Sequence, residues 1–221
     1  MRLFLAVLII LFTFVFAFGQ NEQAPIVEKE ISYKDWTYKT VRTGENVNLR
    51  DFTKGHKLTM VVYWAPWCGN WKYDAPMLQR LYDKYKGQGL GIIAVGEYDP
   101  VSSMKASLDT LKITFPAVYE SESRAEKQKT LHYEYRRSAG DTRKWGSPWY
   151  IFLTPPVMEK KGEILTKKTF IINGELMEPE GEAFIRKHLG LPPAAAKAVV
   201  GKNGKIEVCD PETSVLPLKK P

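Results

Sequence analysis

Apolar and polar positions follow one another along this chain in two different ways. Residues 58–64 and 90–95 are short runs, almost wholly apolar and rich in β-branched side chains, which is typical of strands buried on both faces of a sheet. Between them, apolar side chains recur every three or four residues over 71–85, which predicts an amphipathic helix. Pro76 falls inside this helix and removes one backbone hydrogen bond, so we expect a kink there.

The same two patterns recur through the rest of the chain. They predict further strands over 36–41, 115–119, 149–153 and 168–173, and further helices over 101–111, 124–135 and 180–189. Strands that alternate with helices of this length favour an α/β fold with a mixed central sheet flanked by helices.

The first residues predict export. Arg2 precedes an uncharged apolar run that ends in small residues, so residues 1–19 are typical of a secretory signal peptide cleaved before Gln20. The run is shorter than the roughly 20 residues that a membrane-spanning helix needs. We therefore expect a periplasmic or extracellular protein without a stable membrane span. The alternative is that the segment is retained and tethers the protein to a membrane.

The composition also divides the remaining chain. Residues 20–35 are polar and mixed in charge, and we expect them to form a poorly ordered N-terminal lead before a folded domain over 36–190. The chain then becomes rich in proline and alanine, which is typical of a linker, and residues 199–209 have the pattern of a small hairpin. Such a hairpin is too small to be stable alone, so residues 191–221 are expected to be a C-terminal extension.

Charge and histidine spacing exclude several classes of function. The net charge is +7, but lysines and glutamates are interspersed without a one-sided basic cluster, so we expect no nucleic-acid partner. The three histidines, His56, His132 and His188, share no ligand spacing with the cysteines. The sequence therefore predicts neither a metal site nor a cofactor.

The chain has only two cysteines, Cys68 and Cys209, so it is not a disulfide-rich scaffold. Cys68 stands between a predicted buried strand and a predicted helix, which places its sulfur at a helix N-terminus. The unpaired amides and the dipole of a helix stabilise a thiolate at such a position. Cys68 is therefore a candidate nucleophile.

The residues around Cys68 carry a family resemblance. The stretch V-V-Y-W-A-P-W-C-G-N-W over 61–71 resembles the W-A-x-W-C-G-P-C turn of thioredoxins, and in particular that of exported TlpA-like thiol-disulfide oxidoreductases. Pro76 stands where that family has its helix-kinking proline. Ser147 and Pro148 resemble its cis-proline site, which faces the active cysteine and offers backbone groups to a substrate. The similarity spans residues 36–189.

The resemblance implies a thioredoxin-like fold and a redoxin activity, thiol-disulfide exchange with protein or small-molecule thiols and disulfides. It places Cys68 as the catalytic thiol. It also implies that Ser147 and Pro148 contribute to a substrate-binding surface. Trp67, Gly69 and Trp71 beside the thiol are candidates for the same surface, and the alternative is that the tryptophans belong to the core or form a lid.

The chain departs from the family at the second cysteine. In the family, the first cysteine attacks a substrate disulfide and the second resolves the mixed disulfide. Trp71 occupies the second position here, and Asn70 replaces the usual proline. A mixed disulfide would then wait for an external thiol, unless Cys209 acts as a distal resolving cysteine or disulfide partner. Cys209 as a lone thiol, or as one that pairs between molecules, is the alternative.

Two functions therefore remain open. One is thiol-disulfide exchange through the single-cysteine active site at Cys68. The other is a redox-inactive thioredoxin-like module that binds partners or acts like a chaperone. Peroxide chemistry is disfavoured, because peroxide-reducing relatives carry threonine or serine three residues before the reactive cysteine and Ala65 stands there.

Overall fold

A mixed β-sheet is the centre of the molecule. The computed structural model describes residues 22–194 and the backbone of two later strands. The strands are β1 (Gln23–Ala24), β2 (Val27–Lys34), β3 (Thr37–Thr40), β4 (Asn46–Asn48), β5 (Leu58–Trp64), β6 (Leu90–Gly96), β7 (Ala117–Tyr119), β8 (Trp149–Leu153), β9 (Ile164–Ile172), β10 (Glu175–Leu176), β11 (Ala198–Val200) and β12 (Ile206–Val208). The helices are α1 (Leu49–Thr53), α2 (Gly69–Tyr85), α3 (Val101–Thr110), α4 (Leu131–Ser138) and α5 (Glu178–Leu189). Short 3-10 helices span Lys86–Gln88, Arg124–Lys129 and Pro155–Val157.

Eight strands pair in the order β2-β9-β8-β5-β6-β7-β3-β4. Every residue of β5 and β6 is buried, as their apolar sequences predict. The strands β5, β6 and β7 run parallel to one another, whereas β8 is antiparallel to β5. Because parallel strands end at the same edge of a sheet, the residues that follow β5, β6 and β7 lie at one edge. Cys68, Glu97 and Glu120 come shortly after these three strands.

Helices cover both faces of this sheet. On one face, α2, α3 and α5 pack their apolar sides against it, and the buried residues include Leu78, Met104 and Ile185. On the other face, α4 packs through Tyr135 against an aromatic cluster that includes Tyr63. The predicted α/β fold with a mixed sheet flanked by helices is confirmed. Within the described residues, no helix combines the length and the apolar composition needed to cross a bilayer.

The expectation of a poorly ordered lead over 20–35 is wrong where the structure describes these residues, because 23–24 and 27–34 form strands. Strand β2 forms an edge of the sheet and pairs antiparallel with β9, and β1 pairs with β10. Ile31 and Tyr33 are buried, but the first half of β2 is exposed and carries Glu28, Lys29 and Glu30. Charged side chains are common on edge strands because they discourage pairing with other chains. These charged residues also obscure the alternation of apolar and polar positions from which a strand is predicted.

The predicted helix over 124–135 is divided in two. A 3-10 helix, Arg124–Lys129, precedes α4, and Thr130 separates them with an extended backbone of φ −82° and ψ 147°. The Thr130 hydroxyl accepts a hydrogen bond from the Tyr133 amide at 3.1 Å, so it caps the new helix. The predicted C-terminal hairpin is confirmed in its backbone, since β11 pairs antiparallel with β12.

Asp74 is a buried carboxyl on α2 that the apolar pattern of this helix does not predict. Its side chain is only 1% exposed. One carboxyl oxygen accepts hydrogen bonds from the Tyr150 hydroxyl and, at 3.0 Å, from the Leu176 amide, so Asp74 joins α2 to β8 and β10. Burial raises the pKa of Asp74 to about 7, although these two hydrogen bonds act in the opposite direction.

This raised pKa predicts a pH-dependent stability. The folded protein binds the Asp74 proton more tightly than the unfolded chain, so the contribution is fully present at low pH and is lost as pH rises through about 7. Each unit of pKa difference corresponds to about 1.4 kcal/mol. We expect Asp74→Asn, which cannot ionise, to flatten the fall in the free energy of unfolding between about pH 5 and about pH 7. Urea titrations at several pH values across this range measure the free energy of unfolding.

The matched control is Asp83→Asn on the same helix. Asp83 is exposed and its pKa is lowered by hydrogen bonds from Gln79 and Lys86, so it is already ionised in this range. The control should keep the slope of the native chain. A native slope in Asp74→Asn would contradict the prediction.

Candidate functional site

Cys68 lies at the junction of β5 and α2. It is the N-cap residue of α2, with an extended backbone of φ −73° and ψ 123°, and its side chain caps no backbone amide. The Cys68 amide donates to the Ala65 carbonyl at 3.0 Å, which closes a tight turn. The first amides of a helix lack partners within the helix, and they carry its positive dipole end. The sulfur is thus placed where a negative charge is stabilised.

Ser147 connects this turn to a distant loop. The Cys68 sulfur lies 3.1 Å from the Ser147 carbonyl oxygen, and the Ser147 hydroxyl accepts a hydrogen bond from the Ala65 amide at 3.0 Å. The peptide bond between Ser147 and Pro148 is cis, which is the geometry that the family resemblance implies. A protonated Cys68 donates to this carbonyl, and a thiolate cannot.

A small pocket of about 220 Å³ opens over the sulfur. Four of the predicted site residues line it together: Trp67, Cys68, Gly69 and Ser147. The rest of its wall is formed by Glu22, Asn70, Arg143, Lys144, Trp145 and Gly146. Pro148, the predicted neighbour of Ser147 in this surface, is buried and does not line the pocket. A larger groove of about 610 Å³ lies between β2 and α4, but it contains no cysteine.

Trp71 does not belong to the pocket. Its side chain is fully buried, and its ring lies 4.7 Å from the ring of Trp64 in the core beneath α2. The third residue of α2 faces the sheet, because the apolar side of the helix continues through Ala75 and Leu78. The prediction that Trp71 contributes to a substrate-binding surface is therefore wrong. It fills the interior instead.

Two other tryptophans stand at the entrance. The rings of Trp67 and Trp145 are 5.1 Å apart and meet edge to face. Both side chains are half-buried. The Arg124 guanidinium lies 4.8 Å from the Trp67 ring, and the Lys127 ammonium lies 4.8 Å from the Trp145 ring. The approach to Cys68 is thus both aromatic and cationic.

A buried ionic cluster fixes the loop that carries Ser147. Arg136 is fully buried and lies 3.2 Å from the Asp141 carboxylate, which also accepts from Arg143 at 2.8 Å. Although burial alone would raise it, the hydrogen bonds and charge of Arg143 hold the pKa of Asp141 below its usual value. Gly146 has φ +59°, and a β-carbon there would overlap the Arg136 guanidinium. Only glycine fits this close approach.

His132 supports the same loop from beneath. One ring nitrogen, Nε2, lies 3.2 Å from the Gly146 carbonyl oxygen, and Nδ1 lies 2.9 Å from the Tyr98 hydroxyl. A carbonyl only accepts, so Nε2 carries the hydrogen and Nδ1 accepts from Tyr98. Burial, together with the charge of Arg136, lowers the pKa of His132 well below its usual value. The neutral His132 ring therefore connects Tyr98, which follows β6, to the loop that carries Ser147.

Glu97 and Glu120 are acidic residues of this edge that the sequence patterns did not single out. Glu97 is fully buried and accepts a hydrogen bond from the Ser121 hydroxyl. Burial and the nearby Glu120 raise the pKa of Glu97 well above its usual value. Glu120 accepts from two amides at the start of α4. The sequence does offer a signal for them. Glu97 follows β6 and Glu120 follows β7, and these strands run parallel to β5, which precedes Cys68, so all three residues lie at one edge of the sheet.

The remaining site predictions stand as predictions. Cys209 lies outside the described residues, so its pairing with Cys68 is not tested. Across the part of the chain that the structure describes, no group of three histidine, cysteine, aspartate or glutamate side chains is arranged to hold a metal ion.

Two known proteins resemble part of this chain in sequence. The thiol-disulfide oxidoreductase ResA of Halalkalibacterium halodurans is 30% identical over 77 residues, which is 35% of this chain and 43% of that protein. The probable protein disulfide-isomerase A4 of Caenorhabditis elegans is 37% identical over 75 residues, or 32% of this chain and 12% of that protein. The chain therefore spans less than half the length of these relatives.

Solved structures and family models extend the likeness. A thiol:disulfide interchange protein of the thioredoxin family from Chlorobium tepidum TLS superposes with a TM-score of 0.52 at 15% identity, over 73% of this chain and 98% of that one. At this identity the likeness shows the thioredoxin-like fold alone. The model of the AhpC/TSA family matches residues 27–175, which is more than half of the chain and includes Cys68 and Ser147. The protein therefore belongs to the AhpC/TSA family, with the fold of the thioredoxin-like thiol-disulfide oxidoreductases.

Proposed function

We propose that this protein is an exported thiol-disulfide exchange protein that acts through the single thiol of Cys68. The observation that carries the proposal is the position of the sulfur. It lies at the N-terminus of α2, 3.1 Å from the Ser147 carbonyl, in a pocket open to solvent. Trp67, Gly69 and Ser147 line the surface on which a substrate would lie. The names of the relatives, thiol-disulfide oxidoreductases, support the same chemistry.

The exchange needs two steps. The Cys68 thiolate attacks one sulfur of a substrate disulfide, a new disulfide forms to Cys68, and the second substrate sulfur leaves as a thiolate. An external thiolate then attacks the substrate sulfur in this mixed disulfide, and Cys68 leaves as a thiolate. The external thiol now forms a disulfide with one half of the substrate, the other half has left as a thiolate, and the protein is unchanged. Ala65 stands where peroxide-reducing relatives carry threonine or serine, so peroxide reduction is not proposed.

The N-terminal segment supports export. Residues 1–19 have the charge, apolar run and small-residue ending of a signal peptide, and they lie outside the described residues. We propose that the segment is removed and that the protein acts in a compartment where disulfides persist, such as the periplasm.

One observation favours a second candidate function. Trp71 takes the place of the resolving thiol and is locked in the core, so the turn itself cannot form a disulfide. A redox-inactive module that binds peptides beside Trp67 and Trp145 would retain the same fold. Binding would then be independent of the sulfur.

Replacing the sulfur separates the two functions. We expect Cys68→Ser in a Cys209→Ser background to reduce the release of thiolate from a small aromatic disulfide to the uncatalysed rate, because the hydroxyl is not a nucleophile at neutral pH. Absorbance of the released thiolate measures the rate, and mass spectrometry detects the mixed disulfide. The matched control is Cys209→Ser, which should still form that mixed disulfide. Equal rates in the double variant and in Cys209→Ser would exclude exchange at Cys68.

The absence of a local resolving thiol predicts a persistent intermediate. In Cys209→Ser, we expect the mixed disulfide on Cys68 to accumulate and to decay only when a small thiol is added, at a rate proportional to its concentration. Quenched samples analysed by mass spectrometry give this rate. Decay without added thiol in Cys209→Ser would contradict the prediction. Decay in the native chain alone, with a Cys68–Cys209 disulfide on non-reducing peptide mapping, would assign Cys209 as the resolving thiol.

A further inference from the structure

Three cations border the entrance to the Cys68 pocket. The Arg124 guanidinium lies 4.8 Å from the Trp67 ring, and the ammonium groups of Lys127 and Lys144 lie 4.8 Å and 6.0 Å from the Trp145 ring. We call Arg124, Lys127 and Lys144 the cationic rim. Its members come from two different segments of the chain, yet they meet over the same pair of tryptophans.

The charges of the rim are not neutralised within the described residues. None of its three members forms a salt bridge there. In contrast, Arg143 is paired with Asp141 and, at 2.9 Å, with Glu22, the carboxylate that lines the pocket. Glu122 and Glu126 are exposed and, like Arg124 and Lys127, do not line the pocket. Among the charged residues that line the pocket, Arg143 and Lys144 outnumber Glu22, so the entrance carries a net positive charge.

Contacts within the protein hold the rim beside the sulfur. The Lys127 ammonium donates to the Lys144 carbonyl at 3.2 Å, which ties the 3-10 helix Arg124–Lys129 to the loop before Ser147. Lys144 and Trp145 line the same pocket as Cys68. A cation lies 4.8 Å from each tryptophan ring, so a chain that docks on these rings also meets positive charge. This arrangement favours recognition by charge over recognition by apolar contact.

We propose that the substrate of this site is a disulfide in a separate polypeptide whose cysteine is flanked by carboxylates. The inference rests on the exchange chemistry proposed above, and it names the class of substrate. Carboxylates close to the attacked sulfur would meet the rim as that sulfur reaches Cys68. Because Arg124 and Lys144 are exposed to water and Lys127 is half-buried, the attraction acts mainly on the rate of encounter and is weakened by salt.

Synthetic peptides test the proposal directly. Three disulfide-linked peptides of one length carry aspartate, asparagine or lysine on both sides of the cysteine, and they react with the purified Cys209→Ser chain at low ionic strength. We expect the aspartate peptide to react roughly tenfold faster than the asparagine peptide, and the lysine peptide to be slowest. The differences should shrink towards none at about 1 M salt, where the Debye length is about 3 Å. Equal rates for aspartate and lysine peptides at low salt would overturn the proposal.

Charge reversal locates the effect. In Lys127→Glu/Lys144→Glu the order of the peptides should invert. The matched control is Lys57→Glu/Lys161→Glu, which changes the net charge equally. Lys57 precedes β5 and Lys161 follows β8, so these exposed residues lie at the opposite end of the sheet from Cys68. The control should keep the native order. An inverted order in the control as well would trace the preference to net charge and overturn a role for the rim.

A binding measurement separates this inference from the exchange chemistry. If no peptide reacts, exchange at Cys68 fails, and the rim is tested by titrating Cys68→Ser with peptides in which serine replaces cysteine. Tryptophan fluorescence follows the binding. Tighter binding of the aspartate peptide that weakens with salt supports the rim, and equal binding overturns it.

The chain's own C-terminal segment also carries carboxylates beside a cysteine, so a separate variant tests whether this segment occupies the cationic rim. Glu207, Asp210 and Glu212 flank Cys209 in the sequence. Changing them to their amides should leave the rate of the aspartate peptide unchanged. A roughly tenfold increase would show that this segment occupies the rim, and it would overturn the assignment to a separate polypeptide.

Discussion

The arrangement of the candidate site depends on Ser147. Its carbonyl oxygen contacts the Cys68 sulfur, and its hydroxyl accepts from the Ala65 amide, so one residue holds both the thiol and the turn that presents it. Ser147 is 79 residues from Cys68 in the sequence. A contact over such a distance persists only if the loop that carries Ser147 keeps a single path. The interior next to the site is built accordingly.

Buried polar groups fix that path. Arg136 is fully buried, and two of its three guanidinium nitrogens have no hydrogen-bond partner among the described residues. A buried ion pair seldom adds net stability, because desolvation offsets the attraction. Its effect here is geometric: Arg136 reaches Asp141 and lies against Gly146, while His132 bonds the Gly146 carbonyl. The contacts of Arg136 and His132 with this loop therefore fix its position.

The sequence predicts the parts of this structure that depend on local periodicity. The buried strands β5 and β6, the helix α2 with Pro76 and the Cys68 turn all follow from neighbouring residues. Long-range effects do not. Asp74 is buried because Tyr150 and the Leu176 amide meet it from elements far along the chain. Strand β2 looks like a charged lead because an edge strand needs apolar residues on only part of one face. No local pattern carries that information.

Trp71 differs from a resolving cysteine in where its side chain lies as well as in its chemistry. A resolving cysteine needs its sulfur near that of Cys68, whereas Trp71 fills the core and packs on Trp64. Replacing a buried tryptophan by a much smaller side chain leaves a cavity, and truncations of this size cost about 3–5 kcal/mol. The position has therefore become part of the hydrophobic core. Any thiol that completes an exchange at Cys68 must come from outside this turn.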